Sequence, residues 1–256
     1  MKTIMEQDTL HCPKCKFEQD AANTECVRCG LLFEKYKRAK KSHSKTSETT
    51  GEDISETADQ SATNLFSLLF FTRSPVNRLY FAGRIITFLI ILVWGITFVI
   101  APIESNKVGR SLMHFVNLPF HEFGHIIFRP FGRFMTSLGG SLGQLLMPLV
   151  CLGVLLIQTR DPFGASVSLW WFGENLFDLA PYINDARSLT LPLLGGNVGH
   201  SSPYGFHDWE FILAEMGLLR YDHFLAKMAV VMGTLVFIVS FVWGGLLLFK
   251  QYKKLA

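Results

Sequence analysis

The stretch MAVVMGTLVFIVSFVWGGLLLF, residues 228–249, decides the structural class of this protein. It carries no charged side chain, and the hydrocarbon core of a bilayer, about 30 Å thick, needs about 20 apolar residues of helix. Residues 85–103 and 134–159 are also uncharged and of similar length. These three segments predict an α-helical membrane protein.

Two further segments are apolar apart from a few ionisable residues. Residues 111–128 contain His114, His121, Glu122 and His125, and residues 163–183 contain Glu174 and Asp178. Ionisable side chains inside a span are costly, so each is by default a hypothesis about function. Counting both segments, we expect about five transmembrane helices.

The first 60 residues differ in composition from the rest of the chain. They hold 10 of the 24 Lys and Arg residues, 11 of the 21 Asp and Glu residues and four of the five cysteines. We therefore expect a small head at residues 1–38, a flexible linker rich in Ser, Thr and Glu at residues 39–64, and a membrane domain at residues 65–256. The net charge of +3 is too small to indicate a nucleic-acid partner.

The head contains two CxxC pairs, Cys12 with Cys15 and Cys26 with Cys29. Each CxxC turn can present two thiolates to one tetrahedral ion, so the four cysteines predict a structural zinc ribbon. Two disulfides are the alternative, but reduced thiols prevail in the cytoplasm, where we expect the head to lie. Such a ribbon would dock the head or recruit a cytoplasmic partner that the sequence does not identify.

The motif His121-Glu122-Phe123-Gly124-His125 matches HExxH. On a helix, positions i and i+4 share a face, so both imidazoles can bind one zinc ion while Glu122 serves as the general base. HExxH also occurs by chance. Here, however, the three polar residues lie in an apolar segment, where burying them without partners would cost roughly several kcal/mol. A bound metal ion compensates that cost.

A zinc helix in one span with an acidic ligand in a later span resembles the site-2 protease family of intramembrane zinc metalloproteases. Two other stretches resemble the motifs of that family. Residues 138–144, LGGSLGQ, are similar to its GPxxN motif, with Gln144 in the Asn place and no Pro. Residues 175–187 loosely resemble NxxPxxxLDG, although the spacing differs and Ala replaces Gly. The glycines alone could instead form a packing face between helices.

The resemblance implies that Asp185 is the third ligand of the catalytic zinc, with Asp178 and His207 as alternatives. Asn175 and His207 are candidate substrate contacts. We expect Asp208 to cap the helix that follows it. For either Asp178 or Asp185, a helix cap or a contact to Arg187 is the alternative role.

Lys and Arg flanks predict the orientation of the spans. Nine basic residues from Lys35 to Arg84 precede the first span, so we expect a cytoplasmic N-terminus and a bacterial inner (plasma) membrane. Spans two and four would then end in the cytoplasm, which places the candidate ligands near that face. The fifth span would leave the basic C-terminal tail outside, against the rule. Either residues 188–220 contain a re-entrant segment or the tail is an exception.

Together these features predict an intramembrane zinc endopeptidase that cleaves membrane-embedded or membrane-proximal substrate proteins near the cytoplasmic face. One zinc ion would be catalytic and one structural. The alternative is a non-proteolytic membrane protein that binds metal or acts as an adaptor. A mere binding site would have no need of a general base such as Glu122 between its two histidines.

Overall fold

The computed structural model of the chain describes residues 9–14, 16–21, 23–28, 31–36, 65–72, 76–194, 196–201 and 207–255. The chain divides into two compact units, Met1–Asp59 and Gln60–Ala256. Cys15, Cys29 and the predicted linker lie outside the described residues.

The first unit contains a small antiparallel hairpin of β1, Thr9–His11, and β2, Glu18–Asp20. A tight turn leaves β1 at Cys12, whose N–H donates to the carbonyl of Phe17 at 2.9 Å. Cys12 and Cys26 are both buried beside Phe33. One cysteine of each predicted pair therefore lies in the small core of this unit.

The second unit is helical. In the described part of this unit, the main helices are α1 (Arg78–Val99), α2 (Leu112–Phe128), α3 (Arg133–Ile157), α4 (Pro162–Asn184), α5 (Asp208–Glu215) and α6 (Asp222–Tyr252). Among the described residues, three helical segments are long and apolar enough to cross a membrane, namely Arg78–Val99, Arg133–Ile157 and Leu219–Tyr252. The protein is therefore a helical protein of the membrane type.

Helix α1 begins seven residues before the predicted apolar segment. The side chain of Asn77 accepts hydrogen bonds from the N–H groups of Leu79 and Tyr80, which satisfies two donors that a helix start leaves open. The basic residues Arg78 and Arg84 thus lie inside the helix rather than before it. Pro102, just past its end, prevents the helix from continuing.

Helix α4 lies at the centre of the unit and is buried along most of its length. It packs against α6, where Phe237 stacks on Trp170 and on Phe177 with ring centroids 5.5 and 5.0 Å apart. Gly233 allows this approach, because a Cβ there would lie 2.8 Å from the ring of Phe177. This aromatic core holds α4 in place and fixes one wall of the site.

Candidate metal centre

Helix α2 places the two histidines of the HExxH motif on one face. His121 and His125 are one turn apart, with ring centroids separated by 4.8 Å. His121 is buried, and His125 is partly buried. The sequence pattern therefore yields the paired imidazoles that the motif requires.

Each imidazole is oriented by a hydrogen bond at its Nδ1 atom. The Nδ1 of His121 lies 2.7 Å from the side-chain oxygen of Gln144, and the Nδ1–H of His125 donates to the main-chain carbonyl of Thr136 at 2.8 Å. Both acceptors belong to α3. Because a hydrogen-bonded Nδ1 leaves Nε2 as the ligand atom, the two Nε2 atoms can point at one common position.

Helices α2 and α3 pack closely, and the absence of a side chain at Gly140 leaves space for that position between them. A Cβ added at Gly140 would lie 2.5 Å from Nε2 of His121 and 2.6 Å from Nε2 of His125. Gly124 and Gly139 touch through their backbones, so a side chain at either residue would separate the two helices. The LGGSLGQ segment therefore supplies both a packing face and, through Gln144, a histidine partner.

Asp208 provides the carboxylate that faces the histidines. Its Oδ2 atom lies 3.4 Å from Nε2 of both His121 and His125, and its Oδ1 atom accepts a 2.6 Å hydrogen bond from Ser137. The hydroxyl of Tyr182 lies 3.2 Å from Oδ2 and accepts from the N–H of Asp208. The carboxylate is thus held from two sides.

The predicted capping role of Asp208 is wrong, because His207 is the N-cap of α5. The Nδ1 atom of His207 accepts from the N–H of Glu210 at 3.2 Å, and its ring packs on Tyr182 with centroids 4.1 Å apart. His207 is fully buried, so it serves as a structural residue rather than as a contact in the cleft. Because His207 makes the capping bond, the carboxylate of Asp208 is not needed for it and faces α2 instead.

The ionisation of Asp208 suits a metal ligand. Burial acts to raise the pKa of Asp208, but its hydrogen bonds with His121, His125 and Ser137 outweigh burial and hold the pKa below the ordinary range. A carboxylate that stays ionised can bind a cation at neutral pH.

Among the described residues, His121, His125 and Asp208 form a group whose ligand atoms all lie within 4.8 Å of one another. Two donors bound to a tetrahedral zinc ion at about 2.0–2.1 Å are roughly 3.4 Å apart, close to the separations seen here. Two imidazoles and one carboxylate form a ligand set that zinc accepts, with a fourth position left for water. The residues present therefore fit a zinc ion.

Asp185, the ligand expected from the sequence, instead organises the loop after α4. Its Oδ1 atom accepts from Ser188 Oγ at 2.6 Å and from the N–H and hydroxyl of Thr190, while Oδ2 accepts from the N–H of Leu191. Burial acts to raise the pKa of Asp185, but these hydrogen bonds lower it overall. The structure thus brings Asp208, and not Asp185, to the two histidines.

Asp178, the first alternative, holds His114 rather than the HExxH histidines. Its Oδ1 atom lies 2.9 Å from Nδ1 of His114, and its Oδ2 atom accepts from Asn117 at 3.1 Å. The amide of Asn117 also donates to the fully buried Glu174 at 2.9 Å. These four residues form a polar network between α2 and α4 that the sequence analysis did not predict. The signal for it was the presence of polar residues in apolar segments.

Asn175, the other candidate substrate contact, is fully buried in α4. Its amide nitrogen donates to the main-chain carbonyl of Trp171 one turn earlier at 3.0 Å. It is absent from the described lining of the cleft next to the histidines. A direct contact between Asn175 and a substrate is therefore not supported by its position.

The histidines and Asp208 open into a cleft of about 880 Å³. Glu122 also lines this cleft and is partly buried, as expected for a base that must reach both solvent and substrate. The rest of the lining comes from α2, α3 and α4, from the connection before α2 and from the connection after α4. It includes Arg110, His114, Leu118, Tyr182, Leu191 and Asn197. The cleft is large enough for several residues of a peptide.

No protein-family model, curated protein or solved structure matches the chain. Its class therefore follows from its own fold and site. Within the residues that the structure describes, it is a helical protein with three membrane-length helices and a His-His-Asp cluster beside a glutamate in a cleft.

Proposed function

We propose that this protein is a zinc-dependent endopeptidase that cleaves membrane-embedded or membrane-proximal segments of substrate proteins. The observation that carries the proposal is the convergence of His121, His125 and Asp208 in the cleft that Glu122 lines. The sequence resemblance to site-2 proteases points the same way, although the third ligand differs from the residue that it implied.

Each residue of the cluster has a distinct role in this proposal. Zinc, when bound, would act as a Lewis acid on the scissile carbonyl and lower the pKa of water. Glu122 would take the proton of the attacking water and pass it to the departing amine. Gln144 and Thr136 keep the two imidazoles in the ligand tautomer. Ser137 and Tyr182 hold the carboxylate of Asp208.

The shape of the cleft restricts the substrate. A peptide bond inside a helix is shielded by the hydrogen bonds of that helix, so the substrate must be locally unwound before it can reach the zinc position. The cleft lies in a helical unit of the membrane type, which favours substrates that are themselves membrane proteins. The zinc ribbon, with its unidentified cytoplasmic partner, is also part of the proposal.

The first experiment replaces Glu122 by Gln and measures both cleavage of a membrane-protein reporter and bound zinc. The amide keeps the shape of the side chain but cannot accept the proton, so turnover should fall by about 10²–10⁴-fold. Zinc content should stay unchanged because neither imidazole is disturbed. Glu215→Gln, at the exposed end of α5, is the matched control and should leave both quantities unaltered.

Unchanged turnover in Glu122→Gln would refute the peptidase mechanism. Bound zinc together with no cleavage by the wild-type protein would support the alternative role as a metal-binding or adaptor protein.

A further inference from the structure

The two ends of the membrane unit meet at one face of the helix bundle. The Nζ atom of Lys254 donates to the carbonyl of Thr72 at 3.1 Å, and Leu255 forms a β-bridge with Val76. At the same face, Arg84 near the start of α1 pairs with Asp161 before α4 at 2.7 Å. We call this side of the bundle the terminal face.

The opposite ends of the same helices meet at a second face. Arg187, just after α4, pairs with Asp222 at the start of α6 at 2.7 Å. Ile103, which follows α1, packs against the cluster that contains Ala180 and Ile183 near the end of α4. We call this side the cleft face.

Helices α4 and α6 run antiparallel from one face to the other. Their contacts extend from the Arg187–Asp222 pair to Ser240, whose hydroxyl donates to the carbonyl of Ser166 at 2.7 Å. Helix α4, at 23 residues, is about 34 Å long, which matches the thickness of a bilayer core. It is therefore long enough to cross together with α6, although its polar residues lower its hydropathy.

Helix α2, in contrast, reaches from the cleft face only to about the middle of the bundle. Its contacts near the cleft-face ends of the long helices are Thr136 on α3 and Asp178 on α4. Its deepest contacts, Gln144 on α3 and Trp171 on α4, lie near the middle of those helices, and Gly139, Gly140, Gly143 and Glu174 lie between. Gln144 lies 13 residues before Ile157, or about 20 Å of helix from the terminal end of α3. Trp171 is about 14 Å of helix from Pro162.

The segment before α2 lies at the cleft face as well, through the contact of Ile103 with the end of α4. Helix α2 thus enters from the cleft face and returns to it at α3. The metal cleft follows the same pattern, because its lining includes Asn106 and Arg110 before α2 and Leu191 and Asn197 after α4. Both of these connections belong to the cleft face.

We infer that four helices, α1, α3, α4 and α6, cross the membrane, that α2 is re-entrant, and that the metal cleft opens on the non-cytoplasmic side, opposite both ends of the membrane unit. If α2 also crossed, the site would lie near the cytoplasm, as the sequence alone predicts. With four crossings, the basic tail returns to the side from which α1 starts. The conflict with the charge rule then disappears, and no re-entrant segment is needed at residues 188–220.

Charge assigns the terminal face to the cytoplasm. Within the described residues near this face, one acidic residue, Asp161, opposes a set of basic residues, namely Arg78, Arg84, Arg160, Lys250, Lys253 and Lys254. The connections and helix starts at the cleft face carry seven Lys and Arg residues (Lys107, Arg110, Arg129, Arg133, Arg187, Arg220, Lys227). The other 17 of the 24 in the sequence lie at or before Arg84, at Arg160 or in the tail that begins at Lys250. Cytoplasmic flanks carry the excess of Lys and Arg. The CxxC pairs that precede α1 in the sequence also suit a reducing compartment.

This topology narrows the substrate class of the proposed peptidase. The substrate is the segment of a membrane protein that leaves the bilayer on the non-cytoplasmic side, where it can enter the cleft in an unwound state. This consequence rests on the proposed function, whereas the topology itself does not.

The topology can be tested by cysteine labelling in membrane vesicles of known orientation. Glu104→Cys and Glu215→Cys mark the cleft face, and Arg160→Cys and Lys253→Cys mark the terminal face; all four residues are exposed. A membrane-impermeant maleimide should label the first two in right-side-out vesicles and the last two in inside-out vesicles. Mass spectrometry of the labelled peptides counts each cysteine separately from the five native ones.

Thermal unfolding, measured for each variant, shows whether it is folded, and Lys107→Cys is a second marker of the cleft face if Glu104→Cys fails that check. Labelling of cleft-face and terminal-face markers in the same vesicles would overturn the four-crossing topology. Labelling of the cleft-face markers in inside-out vesicles alone would overturn the orientation. The labelling pattern should be identical in Glu122→Gln, so a failure of the topology is distinguishable from a failure of the peptidase proposal.

Discussion

Two aspartates, 23 residues apart, differ from their predicted roles: the sequence indicated Asp185 as the metal ligand and Asp208 as a helix cap. Asp208 faces two imidazole nitrogens at 3.4 Å, and Asp185 accepts four hydrogen bonds from its own loop. We therefore expect Asp208→Asn to reduce bound zinc strongly, because an amide is a poor replacement for a carboxylate on this ion. Zinc analysis of the purified variants measures the effect.

Asp185→Asn is the matched control and should keep its zinc. It should instead loosen residues 188–191, since an amide nitrogen would face the N–H of Leu191; one buried acceptor lost in this way costs about 1–3 kcal/mol. Limited proteolysis would detect the looser loop. Zinc loss in Asp185→Asn with full zinc in Asp208→Asn would reverse the assignment of the third ligand.

Gln144 is the residue for which a partner of the metal ligand can be tested directly. Its side-chain oxygen is the acceptor for Nδ1 of His121, and both residues are buried. Gln144→Leu keeps a similar volume but leaves that imidazole without an acceptor. Zinc affinity should fall by about 10–100-fold, as for other partners of metal-bound histidines. Competition with a zinc chelator gives the affinity, and an unchanged value would show that Gln144 serves packing alone.

At the scale of the helices, the contact between α2 and α3 depends on glycine. Gly140→Ala would place a methyl group 2.5–2.6 Å from both Nε2 atoms, in the space that the metal needs. We expect this variant to lose zinc even though Ala favours a helix over Gly by about 0.5–1 kcal/mol. The measurement is zinc content together with the thermal unfolding of the membrane unit.

Gly153→Ala is the control on the same helix, because a Cβ there meets no atom within 4 Å. It should keep zinc and be at least as stable as the wild type. Equal zinc content in the two variants would mean that the ion does not occupy the space beside Gly140.

The sequence predicted these helices better than it predicted their contacts. HExxH fixed His121 and His125 on one helical face because the helical period depends on local structure alone. Asp208 could not be found in that way, since it lies on α5, which only tertiary packing brings to the histidines of α2. Gln144 was singled out by resemblance, but its bond to His121 depends on how closely α2 and α3 pack. Local pattern thus gave two ligands, and tertiary structure gave the third.

At the scale of the whole chain, we expect two zinc ions per molecule. The cysteine pairs and the His-His-Asp cluster lie in separate compact units, so the sites should fill independently. Replacing Cys12 and Cys15 by Ser should lower the zinc count by one and leave cleavage-site zinc in place. Elemental analysis of the pure variant measures the count, and a simultaneous loss of both ions would show that the sites are coupled.

Counting apolar residues could not predict the path of the chain through the membrane. Helix α2 was counted as a crossing because its 17 residues are largely apolar, yet its contacts extend from the cleft face only to about the middle of the bundle. Composition measures whether a segment tolerates a bilayer, whereas position depends on the neighbouring helices. The polar side chains of α2 and α4 are tolerated because they pair with one another between the two helices.

The bridge between Val76 and Leu255 has a practical consequence for the gene. Since the start and the end of the helical unit are neighbours, a short peptide linker could join them and the reading frame could begin elsewhere, as in a circular permutant. New ends opened at an exposed turn of the opposite face, such as the one that contains Gly217, would then lie on the same side as the cleft that contains His121, His125 and Asp208. A fluorophore or an affinity handle attached there would report on that compartment without any insertion into a helix.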